Sequence, residues 1–184
     1  MIRTVLLYLL YLKEKFRLRK KVSFRGFTVV YAYRNSRIVW GNKITINSHP
    51  LSNLAGMHQR AIIIARDGGT IRIGNGVEMS GMTIYAQRQI EIGERTMIGA
   101  NTIIMDSDFH PLEAEYRRST DRSLIRRKAV SIGKDCFIGM NVTICKGTVL
   151  GDRCVVGAGS VVCGEFTADC VIGGNPAKVI RECK

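Results

Sequence analysis

From residue 132 onward an aliphatic or small side chain returns at every sixth position: Ile132, Ile138, Ile144, Leu150, Val156, Val162 and Ala168. Glycine or another small residue usually follows, as in Ile132-Gly133, Ile138-Gly139, Leu150-Gly151 and Val156-Gly157. Four places after the apolar position stands a small or β-branched residue: Cys136, Val142, Thr148, Cys154, Ser160. An upstream block has the same grammar, with Ile73-Gly74, Met79 and Tyr85 and then, after a one-residue slip, Ile92-Gly93, Ile98-Gly99 and Ile104. A period of six fits neither a helix nor the alternation of a simple hairpin. It fits short strands joined by tight corners, the hexapeptide form of a parallel β-helix, in which three hexads close one triangular coil. Coils stack at ~4.8 Å, so the period places Ile132 on Leu150, Ile138 on Val156, Cys136 on Cys154 and Cys145 on Cys163.

The pattern breaks once, between Ile104 and Ile132, in a stretch that holds His110 and Pro111. An excursion of that length out of a solenoid is usually functional, because the coils could close without it, and it predicts a protruding loop over about 105–131. At the end of the chain Asn175 is placed to cap, Pro176 stands at a first helical position, and Lys178, Val179, Ile180 and Arg181 follow. That order predicts a short C-terminal helix over about 176–183. At the start, an eight-residue apolar run from Val5 to Leu12 precedes Lys13, Lys15, Arg17, Arg19, Lys20 and Lys21. Residues 1–21 are therefore expected to form a helical arm, and 22–184 an all-β, parallel β-helix domain.

Composition narrows the reading. With 184 residues, 46% hydrophobic and 23% charged, the chain is ordinary globular material of one domain, which excludes collagen, coiled-coil and low-complexity classes. Of the net charge of +13, residues 1–40 carry +9, from ten basic residues and Glu14. A nucleic-acid binder would spread that charge over its folded face, so the arm points to an anionic membrane instead and no nucleic acid is expected. Eight apolar residues fall short of the ~20 a helix needs to cross a bilayer. The order, apolar then basic, is the reverse of a secretory signal. The expectation is a cytoplasmic protein whose residues 1–21 touch the inner face of the cytoplasmic membrane; a helix packed on the chain's own body fits the same residues. Six cysteines in such a chain are expected as reduced thiols. The nine-residue spacing of Cys136, Cys145, Cys154 and Cys163 follows from the repeat, so no metal site is expected.

Four segments, Asp106-Ser107-Asp108-Phe109-His110-Pro111, Ile132 to Gly139, Val156 to Val162 and Ile172 to Arg181, are similar to those of the hexapeptide-repeat acyltransferases with a left-handed β-helix. Over roughly residues 70–184 the chain most resembles the maltose, galactoside and xenobiotic acetyltransferase group and the O-acetyltransferases of bacterial surface polysaccharides. The resemblance implies a homotrimer with acetyl-CoA as donor between two subunits, and transfer to a sugar hydroxyl of a polysaccharide or lipid-linked glycan precursor. The alternatives are an N-acetyltransferase on an amino sugar or nucleotide sugar, and a non-catalytic β-helix scaffold.

A hydroxyl must lose its proton as it attacks a thioester, and histidine is the side chain suited to take it near neutral pH. The resemblance gives that role to His110, the one histidine in the break. Asp108 or Asp106 could hold its second ring nitrogen, as third groups do in triads. His49 and His58, in the irregular early coils, read as structural. No nucleophile elbow is present, which favours direct transfer; Cys145 is the thiol to check. By resemblance the donor contacts are Phe137, Gly139, Met140, Ala158, Gly159, Lys178 and Arg181, with Cys163-Gly164 standing where relatives often have Thr-Lys. Ser80, Tyr85 and Asn101 are the residues placed to bind acceptor hydroxyls.

Overall fold

The computed structural model describes residues 2–118 and 121–183. Residues 1, 119, 120 and 184, which belong to the arm, the protruding loop and the C-terminal end, lie outside the described residues. Short parallel strands wind into a left-handed β-helix, each turn laying one strand on each of three faces. The first coil sets the order: Val22–Arg25 on face A, Val29–Ala32 on face B, Arg37–Trp40 on face C. Face A then stacks Ile44–Asn47, Glu78–Ser80, Met97–Ile98, Phe137–Ile138, Val155–Val156 and Cys170–Gly174.

The hexad positions from Ile132 to Val162 are the interior, but two outside that run are not: Tyr85 is half-buried while Ile84 turns inward and pairs with Ile104, and Ala168 is exposed while Phe166 pairs with Leu150. Ile132 pairs with Leu150 and Ile138 with Val156, and Ile104, Ile138, Ile144 and Val162 are fully buried. Each such side chain contributes about 1.5–3 kcal/mol by leaving water, which is how strands of two or three residues hold together. The slip seen in the sequence is one extra residue in that coil, and Ile73 accordingly pairs with Ile92. The glycine after the apolar position is imposed by stacking: a Cβ on Gly139 would sit 2.6 Å from the Ala158 nitrogen of the next coil. Corners close on left-handed residues such as Asn101 (φ 62°) and Asn141 (φ 55°), where asparagine is tolerated better than most side chains.

Larger departures from the sequence reading lie at an early excursion and at the C-terminal end. A second excursion, residues 48–61, leaves face A after Ile44–Asn47 and returns at Ile62–Ala65 on face B. Ile46 is thereby paired with Met79, far outside the six-residue phase. His49 caps a single 3-10 turn, Pro50–Ser52, its ring nitrogen accepting from Leu51 N–H at 3.2 Å.

The C-terminal helix is the other correction. Ala177–Glu182 is a strand, antiparallel to Cys170–Gly174 across a cis Asn175–Pro176 bond. Val179 and Ile180 are β-branched and favour a strand, and the last coil offers an unpaired edge. Six helical residues would have no comparable set of hydrogen bonds to gain.

At the opposite end, helix α1 (Ile2–Arg17) covers the first coil against Val29–Ala32. Tyr11 and Leu18 are buried in the same core as Phe24 and Trp40, with the Tyr11 ring edge-on to Phe24 and Phe27 at 5.9 and 5.2 Å. The basic segment is thus the cap of the solenoid, closing an edge that would otherwise be open to pairing.

Candidate functional site

The long excursion leaves face B after Ile103–Met105 and rejoins the solenoid at Val130–Ile132 on face C. Its root is tied to the coil beneath. Asp106, fully buried, accepts Gln87 N–H on Oδ1 (2.8 Å) and Arg88 N–H on Oδ2 (2.7 Å), while its carbonyl accepts Lys128 N–H (2.9 Å). Burial pushes this carboxyl's pKa up, against the pull of the donated N–H groups. Ser107 donates to the Gln87 side-chain oxygen and accepts Phe109 N–H at 3.0 Å. The Gln87 amide nitrogen donates to Asp67 at 2.9 Å, and Asp67 also gathers Arg66, Arg122 and Arg127.

From that root Phe109 turns at φ 63°, uncommon for an aromatic residue and a kind of strain that gathers at functional sites. Its ring lies 5.0 Å from that of Tyr85, nearly perpendicular. The elbow delivers His110, exposed, to a cleft of about 310 Å³ lined by Arg66, Tyr85, Gln87, Arg117 and Arg122, at the small end of ligand pockets.

Neither aspartate expected to orient His110 reaches its ring. Both carboxylate oxygens of Asp106 are engaged by backbone. Asp108 Oδ1 accepts from Lys146 Nζ at 2.6 Å, and its Oδ2 is buried with no partner among the described residues. The link from Asp108 to His110 is through the main chain, the histidine N–H donating to the aspartate carbonyl at 2.7 Å.

Of the three residues proposed for acceptor hydroxyls, Tyr85 lies in this cleft, whereas Ser80 and Asn101 lie at the corner between faces A and B. Ser80 accepts the side-chain amides of Asn47 and Asn53 (3.1 and 2.9 Å). Asn101 accepts His58 N–H at 3.1 Å and donates to the Gly56 carbonyl at 3.1 Å. In this chain both fasten the 48–61 excursion.

Of the donor residues, Gly139, Met140, Ala158 and Gly159 fall on the same A/B corner. Gly139-Met140 and Ala158-Gly159 are stacked turns, joined by Gly159 N–H to the Met140 carbonyl at 2.9 Å. Gly139 spends its own N–H on Val156 (2.8 Å), so it is not a free donor for an incoming carbonyl. Phe137 is 49% exposed on face A, in a column that runs through Val155 and Val171 to Arg181. Lys178 and Arg181 are exposed on the last strand. Cys163, following Val162 on face B, lies at the B/C corner above Cys145, on the same side as the His110 loop. One copy of the chain therefore puts the donor corner and the His110 loop on different corners of the prism.

Burial, with the Cys163 thiol alongside, pushes the Cys145 thiol up to about 11. A thiol held protonated is a poor nucleophile, so Cys145→Ser should retain wild-type turnover and accumulate no acylated protein by mass spectrometry. Among the described residues no group of three or more His, Cys, Asp or Glu side chains could hold a metal ion.

The cleft also contains residues that sequence reasoning missed, Gln87 and Phe109, with Asp67 behind them as the partner of Gln87 and Arg122. A weak signal existed for Gln87, which stands one slipped period before Asp106. Polar residues separated by one coil are candidates to bond across it.

Comparison with known proteins agrees with the architecture. The model of the hexapeptide repeat of succinyl-transferase matches residues 129–163. The putative lipopolysaccharide biosynthesis O-acetyl transferase WbbJ of Escherichia coli K12 is 32% identical over 120 residues, 62% of this chain and 61% of that one. The galactoside O-acetyltransferase of the same organism is 31% identical over 116 residues, 62% of this chain and 55% of that one. The match thus spans just over half to three fifths of these relatives' length.

Among solved structures, the polySia-specific acetyltransferase NeuO aligns with TM-score 0.59 at 23% identity over 88% of this chain and 70% of that one. AntD, an N-acyltransferase from Bacillus cereus crystallised with an amino-sugar nucleotide and coenzyme A, aligns with TM-score 0.62 at 19% identity over 94% and 89%. The chain is built of hexapeptide repeats wound into a left-handed β-helix. Within that class its sequence is similar to the sugar O-acetyltransferases.

Proposed function

We propose that the chain moves an acetyl group from acetyl-CoA to a hydroxyl of a sugar, carried on a polysaccharide or lipid-linked glycan precursor, and that it works as a homotrimer. The observation that carries this reading is His110, exposed on a strained elbow whose root is fixed by buried hydrogen bonds. A base of that kind keeps its position relative to the coils while staying open to an acceptor. Its imidazole takes the hydroxyl proton as the oxygen attacks the thioester carbon; the C–S bond breaks and the proton passes to the departing thiolate. O-acetylation is favoured over N-acetylation because the O-acetyltransferases match at 31–32% sequence identity, whereas the N-acyltransferase shares the fold at 19%.

The homotrimer rests on the division of parts: the donor corner of one copy meets the His110 loop only if a second copy supplies it. Sedimentation equilibrium should give three times the chain mass. A monomer with full activity would refute the shared site.

Arg181 lies three strand spacings beyond Phe137 on face A, ~14 Å. Pantetheine laid along this column would bring the CoA phosphates to Arg181 and Lys178. Replacing both by alanine should raise KM for acetyl-CoA several-fold and leave the acceptor KM alone; a change in the acceptor constant alone would move the donor site elsewhere. The reading as a whole is tested by incubating the protein with acetyl-CoA and a panel of sugars and following thiol release and acetylated product.

A further inference from the structure

Helix α1 has two apolar faces and the body uses one. Tyr11, Leu7 and Leu10 turn toward the first coil. At 100° per residue, Val5, Leu9, Leu12 and Phe16 fall within a sector of about 60° on the other side, and they are 54, 57, 41 and 70% exposed. Leu6 and Tyr8, 55 and 48% exposed, lie at the margins toward the body, the Tyr8 ring edge-on to Phe27 at 5.5 Å. Lys13 borders the stripe on one edge and Lys15 on the other. Arg19, Lys20 and Lys21 follow as exposed cations beside Lys43 of the next coil. Of the acids, only Glu14 lies on this helix, and it is occupied by Arg17.

We propose that this stripe docks the protein on a bilayer of anionic lipid, α1 lying flat with Val5, Leu9, Leu12 and Phe16 in the headgroup boundary and the bordering lysines on lipid phosphates. An apolar band edged by cations is what an interfacial helix requires. Charge decides against a second copy of the chain as occupant, because stacking two caps would bring two strongly basic segments together, whereas anionic headgroups complement them. No helix among the described residues is long and apolar enough to cross a membrane. The inference is independent of the acetyl-transfer reading, since no stripe residue belongs to the His110 cleft or the donor corner.

Deleting the helix would be a poor test, because Tyr11 and Leu18 are part of the core. The full chain should instead be sedimented with phosphatidylcholine vesicles and with vesicles containing about a third phosphatidylglycerol, alongside Leu9→Glu/Phe16→Glu and, separately, Lys20→Gln/Lys21→Gln. Wild type should bind the anionic vesicles and not the neutral ones, less so as salt is raised. The acidic pair should lose at least about tenfold in affinity and the glutamine pair several-fold, both with unchanged circular dichroism and melting temperature. Equal binding of wild type to both vesicle types, or none to either, overturns the proposal. So does a change in oligomeric state of the acidic pair, which would make the stripe a contact between copies.

Discussion

His110→Ala should lower the turnover number by about 10²- to 10⁴-fold, the usual worth of a positioned general base, and leave acetyl-CoA binding and thermal stability at wild-type values. Stability should be spared because His110 is exposed and its described hydrogen bond is made by its backbone, which alanine keeps. Near wild-type turnover in the variant, with chemistry rate-limiting, would remove His110 from the mechanism. Cys145 would not replace it without some means of lowering a thiol that burial has pushed up to about 11.

What the sequence made legible was whatever repeats. Each coil makes the same inward contacts, so Ile132, Ile138 and Ile144 announce one another, and a single phase suffices to predict the register of Ile138 on Val156. His110 was legible for the converse reason, as a histidine in a stretch where the phase is lost.

The excursion at 48–61 escaped because it precedes the in-phase blocks and is held by Asn53, Ser80 and Asn101. Those side chains become neighbours only after the coils are stacked. The last strand escaped because Asn-Pro followed by mixed apolar and basic residues suits a capped helix and a hairpin equally. What chose between them was the open edge of Cys170–Gly174, a tertiary fact. The arm was ambiguous from sequence because its apolar residues surround the helix. The structure divides them, Tyr11 inward and Val5, Leu9, Leu12 and Phe16 outward.

Asp106 carries the largest expected effect on stability. Its carboxylate lies in the core and is the acceptor for two backbone N–H groups, Gln87 and Arg88, at the corner where the His110 loop begins. Asp106→Ala leaves the Gln87 N–H buried without its acceptor and takes the acceptor from the part-buried Arg88 N–H, at about 1–3 kcal/mol each. With a Tm shift of about 2–4 °C per kcal/mol for a chain of this size, a fall of roughly 5–15 °C is expected in a calorimetric scan. Turnover should drop with it, since the root of the loop positions His110. Asp106→Asn keeps one acceptor but turns an amide N–H toward the other donor, so it should lie between alanine and wild type.

The pH dependence has an unusual sign for a carboxylate. Burial raises the folded pKa of Asp106 above its unfolded value, so the native state holds that proton more tightly than the unfolded chain does. This contribution to stability is fully present below the unfolded pKa and is lost as pH rises through the folded one. The stability gap between wild type and Asp106→Asn should therefore narrow from mildly acid to neutral pH. A gap that widens over that range would mean that the two N–H bonds outweigh desolvation, and a Tm unchanged in Asp106→Ala would show that the loop root is held by other contacts.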